Sequence, residues 1–134
     1  MLRGMTKHDN ASFLRRTLLL DAAISGTTGL LMTFDAPMLS SLLHVPAPFL
    51  RSVGVSLLPF CALLLFLAYR GTIARASVWS VIALNVLWVA ASVLVLLTGV
   101  IAPNALGIGF VLFQAAAVAL FAELQYVGLR KAVV

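Results

Sequence analysis

The chain has 134 residues, 63% of them apolar and only 10% charged, with a formal net charge of +5. Soluble domains carry about 25% charged residues, so this composition excludes one and describes a chain immersed in lipid. Nor does the positive charge point to nucleic acid, because the basic residues stand at the ends of apolar stretches rather than along a groove-binding face.

Residues 1–12 form a polar lead containing Arg3, Lys7, His8, Asp9 and Asn10. It is too short to bury a core of its own and reads as a frayed tail. Four long apolar stretches follow, at 17–34, 52–69, 77–98 and 104–129. Each reaches or approaches the ~20 residues that cross a bilayer as a helix. The expected fold is therefore all-α: a polytopic bundle of four transmembrane helices forming one integral domain over residues 1–134. The first stretch is not a cleavable signal, since Asp21 interrupts it and no small-residue cleavage site precedes Asp35.

Between the first two spans, Met38, Leu39, Leu42 and Leu43 fall at helical spacing, with Ser40, Ser41 and His44 turned away from them. This predicts a short amphipathic helix in the membrane interface, started near Pro37 and stopped by Pro46 and Pro48, which turn the chain towards Arg51. Pro59 predicts a kink in the second span, and the lone Cys61 in the same span excludes an intrachain disulfide and a dithiol redox centre. Residues 71–76 and 99–103 are short enough to be hairpins, so spans two, three and four are expected to pack as antiparallel neighbours.

Arg3, Lys7, Arg15, Arg16, Arg70, Arg75, Arg130 and Lys131 fall on one side of this layout, leaving Arg51 alone on the other. By the positive-inside rule both termini are expected in the cytoplasm. Anionic lipid headgroups are the natural partners of the basic side.

Candidate functional residues are the polar ones inside the apolar stretches. An acidic group at mid-membrane costs at least about 2.5–3.5 kcal/mol and is seldom left facing lipid, so Asp21 should point inward. At 100° per residue Ser25 and Thr28 share its face, beside a stripe of Ala22, Gly26 and Gly29 suited to close helix contact. Glu123 lies on a small-residue stripe with Gly109, Ala116 and Ala119, and is expected on a packing face. Gln114 is on the opposite face, in line with Gln125, and that second stripe is expected to meet a partner subunit or headgroups. Asn85 shares a face with Val81, Trp88 and Ser92, and Trp88 is too deep for an interfacial belt, where Trp79 and Tyr126 fall. Asp21, Ser25, Asn85, Trp88 and Glu123 together outline an intramembrane binding cluster. The alternative is structural: carboxylates this near the membrane edge can pair with Arg15, Arg16, Arg75 or Arg130 and fix helix register.

No catalytic residues, metal site or cofactor can be assigned. His8 and His44 fall on opposite sides of the membrane, and no phosphate loop, nucleophile elbow or paired-aspartate motif is present.

The basic lead at 13–16, a first span rich in small residues at 22–31, an amphipathic turn ending at Val45 and Pro46, and three tightly connected spans resemble the small bacterial DoxX-like membrane proteins. That resemblance implies the bacterial inner membrane and a helper role, as in members that look like accessory subunits of quinone-linked oxidoreductases. A second likeness lies in the run from Asp21 through Gly26, Thr27 and Thr28 to Met32 and Phe34, which is similar to the first helix of small multidrug resistance transporters. The expected function is a non-enzymatic accessory or lipid- or small-hydrophobe-binding subunit, self-associated or within a larger complex. The alternative is proton-coupled transport of a cation using Asp21 and Glu123.

Overall fold

The computed structural model describes the backbone of residues 7–133 and the side chains of 12–130. Arg3, and the side chains of Lys7, His8 and Lys131, lie outside the described residues. Five helices follow in order: α1 (Lys7–Phe34), α2 (Ala36–Leu43), α3 (Ala47–Ala68), α4 (Arg75–Thr98) and α5 (Ala105–Val133). The long ones, α1, α3, α4 and α5, each contain a stretch long and apolar enough to cross a membrane. Large apolar side chains such as Leu20, Phe66, Leu87, Leu97 and Leu120 are exposed all along them, as a lipid-facing surface requires. The protein is an all-α, membrane-spanning four-helix bundle.

The helix boundaries follow from local chemistry. A single residue, Asp35, separates α1 from α2, with Pro37 in the first turn of α2, where its missing N–H costs nothing. His44 ends α2 in the left-handed conformation (φ 61°), and Pro46 caps α3 with Pro48 in the first turn. Gly99 ends α4 at φ 73°, a backbone shape suited to a residue without Cβ. Asn104 starts α5 by accepting the Gly107 N–H at 2.8 Å, and also donates from Nδ2 to the Leu42 carbonyl at 2.9 Å, so one side chain caps α5 and holds down the end of α2.

Three expectations need correction here. The N-terminal lead is not frayed throughout, since α1 is helical from Lys7. Arg51 lies within α3 rather than in the loop before it. The interfacial helix is present, but its inward face is Ala36, Leu39 and Leu43, while Met38 and Leu42 are exposed. Packing against α3 and α5 selects a stripe spaced three and four residues apart, rather than every apolar residue of the segment.

Helix order in space differs from order in sequence. α1 is the most buried span and packs against both α3 and α5, while α5 packs against α4. The expected side-by-side packing of the second and third spans does not form, since α3 and α4 have no extended packing of their own. A short hairpin makes two helices antiparallel, but contact along their length depends on what their faces offer. α1 and α3 offer glycines: Gly29 and Gly54 bring the two backbones so close that a Cβ on Gly54 would stand 2.8 Å from both the Gly29 carbonyl and the Thr33 N–H. Where lipid is as apolar as the helices, such close packing is a principal source of association.

Buried apolar side chains form two cores, one at each end of the bundle. At the basic end Leu14, Leu18, Leu64, Leu67, Val78 and Leu129 meet. Above them Arg15 donates from Nε to the Ala68 carbonyl at 2.6 Å and from a terminal guanidinium nitrogen to the Arg70 carbonyl at 2.7 Å, closing the C-terminal end of α3. At the other end Met32, Ala36, Leu43, Leu50 and Ile101 pack around α2.

Candidate functional site

Asp21, on α1, is 1% exposed, and every hydrogen bond it accepts comes from a neutral side chain. Ser25, one turn along, donates to Oδ1 at 3.0 Å. Gln125 Nε2 from α5 and Asn85 Nδ2 from α4 donate to Oδ2 at 2.7 Å and 3.2 Å. Asn85 Nδ2 also donates to Gln125 Oε1 at 2.9 Å, so three helices meet at one carboxyl group. Asn85 and Gln125 are themselves 2% and 0% exposed. Their amide orientations follow from the network, because an acceptor carboxylate requires the nitrogen of each amide to face it.

Two features of this cluster are chemically unbalanced. Among the described residues no Lys or Arg reaches Asp21, and the pairing with Arg15, Arg16, Arg75 or Arg130 left open by the sequence does not occur: Arg15 is committed to α3 carbonyls, and Arg130 stacks over Tyr126 at 5.7 Å. Asn85 Oδ1 also accepts no hydrogen bond among the described residues, although buried polar atoms are nearly always paired. The site therefore holds acceptor capacity in excess of its donors.

Asp21, Ser25 and Asn85 line a cavity of about 490 Å³ between the four spans, in the space that separates α3 from α4. Most of its wall is apolar, with Phe60, Phe110, Phe113 and Phe121 prominent, and Pro59 of α3 also faces it. Its size falls in the ~300–1,000 Å³ range of small-molecule sites, and a largely apolar wall with a few converging polar groups is their usual composition. Trp88 forms part of the wall further along, its Nε1 donating to Gln114 Oε1 at 2.7 Å.

Four of the five candidate residues, Asp21, Ser25, Asn85 and Trp88, thus line one cavity. Glu123 does not: it is exposed on the outer face of α5, as are Gly109 and Ala116 of its supposed packing stripe. The stripe expected to face outward, Gln114 and Gln125, is the one that turns inward. Spacing correctly placed the two glutamines in line and Glu123 opposite Gln114, but periodicity fixes relative faces only. The Gln125 amide donates to the acceptor-rich Asp21, which a second carboxylate cannot do, and this complementarity favours the glutamine face inside the bundle. That complementarity was the signal available in the sequence for Gln125. Among the described residues no three His, Cys, Asp or Glu side chains converge as a metal site would need. Compared with known proteins, the chain matches no family model, no curated protein and no solved structure.

Proposed function

We propose that this protein is a non-enzymatic inner-membrane binding protein for a small, largely apolar molecule that carries a cationic hydrogen-bond donor, held with its donor group at Asp21. The observation that carries this reading is a buried carboxyl, partnered by neutral donors alone, at the wall of an apolar cavity. An ionisable group inside a membrane is expensive and faces a functional cavity more often than lipid. A protonated amine supplies the missing positive charge together with N–H donors for Asp21 and Asn85 Oδ1, and its hydrocarbon part suits the phenylalanine-rich wall. The excess of basic residues at the end that carries Arg15, Arg70, Arg75 and Arg130 supports a cytoplasmic location for that end and for both termini.

Proton-coupled transport is the second reading, favoured by the same unpaired carboxyl, which can exchange a proton for a cation. It rests on Asp21 alone, because Glu123 lies outside the cavity.

Titrating the purified protein in mild detergent with butylamine, while following tryptophan fluorescence and proton release, separates these outcomes. Saturable quenching that is lost in Asp21→Asn supports binding, and stoichiometric proton release on top of it supports exchange. Absence of saturable quenching, or an Asp21→Asn protein that binds like the native one, overturns both.

A further inference from the structure

A second cavity, of about 190 Å³, lies beside the first towards the α2 end of the bundle, among Met32, Val53, Val95 and Ile101. Thr28, Leu57, Trp88, Phe110 and Gln114 line both cavities, so one layer of side chains, contributed by all four spans, is all that divides them. Thr28, Trp88 and Gln114 are the polar members of that partition, and the last two are bonded to each other. Trp88 Nε1 donates to Gln114 Oε1 at 2.7 Å, Gln114 Nε2 donates to Ser92 Oγ at 3.0 Å, and Ser92 Oγ donates to the Trp88 carbonyl at 2.8 Å. Both Trp88 and Gln114 are only half-buried. A side-chain hydrogen bond of this kind inside a membrane contributes little on average, so the pair can be parted at small cost. Tight backbone packing lies elsewhere, at the Gly29–Gly54 crossing of α1 and α3.

The two compartments differ in character. The inner one holds the acceptor-rich Asp21–Asn85 cluster, and the outer one is apolar apart from Thr28, Ser92 and the Gln114 of the partition. From Asn85 to Val95 along α4 the rise is about 15 Å, which gives the combined site an elongated shape along the bundle. We propose that the two cavities are the head and chain compartments of one site for a single-chain cationic amphiphile, such as a long alkylamine, whose ammonium group docks at Asp21 and whose chain displaces the Trp88–Gln114 pair to reach the outer cavity. This deepens, and rests on, the reading of the inner cavity as a cation-binding site: it names the ligand's shape and identifies Trp88 and Gln114 as the movable wall it passes.

The test uses Trp79→Phe protein, in which Trp88 is the remaining tryptophan of two, titrated in detergent with butylamine and with dodecylamine. Filling the outer compartment by Val95→Phe on α4, or separately by Val53→Phe on α3, should weaken dodecylamine at least tenfold and leave butylamine within about twofold. Retained butylamine binding shows in the same experiment that each variant is folded, and two fillings from opposite walls guard against one of them failing to fold. Equal losses for both amines in the two variants, no loss for either amine, or native protein that binds butylamine but not dodecylamine overturns the two-compartment site while leaving the inner binding site standing. If neither amine binds the native protein, or both bind independently of Asp21, the binding reading itself falls and this inference with it.

Discussion

Gln125 Nε2 donates to Asp21 Oδ2 at 2.7 Å across 104 positions of sequence, joining the first spanning helix to the last. The same glutamine accepts from Asn85, so it is bound on both sides of its amide.

Gln125→Leu removes a donor from Asp21 and an acceptor from Asn85 while keeping side-chain bulk. The expected loss is about 1–2 kcal/mol, at the upper end for interhelical hydrogen bonds in membranes. Pairing it with Asp21→Leu removes the stranded carboxyl as well, and the double variant should recover part of that loss while failing to bind butylamine. Thermal unfolding in detergent followed by circular dichroism measures the first effect; a double variant less stable than Gln125→Leu would argue against a cluster kept for binding.

Gly54→Val should be among the most damaging single changes in the chain. Its Cβ would stand 2.8 Å from the Gly29 carbonyl, Met32 Cβ and the Thr33 N–H, and two of those three neighbours are backbone that cannot rotate away. Overpacking of this kind costs about 1–3 kcal/mol. Gly71→Val, in the α3–α4 hairpin, is the control, since a Cβ there meets open space. A melting temperature lowered by Gly54→Val and unchanged by Gly71→Val is the expected pair of results.

The proposed orientation has its own measurement. Thr72, in the α3–α4 hairpin, and Ser41, on α2, are both exposed and lie at opposite ends of the bundle. In a Cys61→Ala background, cysteine substituted for Thr72 should react with a membrane-impermeant maleimide only after the cytoplasmic face is opened. Cysteine substituted for Ser41 should react in intact cells. The reverse pattern would invert the topology.

Glu123 has no partner among the described residues and sits on the outer face of α5 within the spanning stretch. A carboxyl there is costly in lipid, which makes this face the expected contact with a second copy or another subunit. Glu123→Leu should shift the particle in mild detergent towards a smaller mass, read by light scattering after size exclusion. A particle of unchanged mass would leave Glu123 reaching for the headgroup region instead.

Spanning segments, the interfacial helix between the first two, and a clustering of charge at one end were all legible in the sequence. Each depends on composition over a window or on a local breaker such as Pro37, Pro46 or Gly99, and local chemistry is complete within the segment itself. Asp21 was equally legible as an inward-facing residue, because burying one carboxyl in hydrocarbon is a property of that residue and its solvent. Which helices touch was not. Hairpins of similar length join α3 to α4 and α4 to α5, yet only the second pair packs along its length, while α3 packs instead on α1, where Gly29 and Gly54, far apart in sequence, let the backbones approach. The partners of Asp21 were hidden for the same reason. Helical period placed Gln125 and Glu123 on different faces of one helix, and only the tertiary structure decided which face turned inward, where the amide could donate to a carboxyl that a second carboxylate would have repelled.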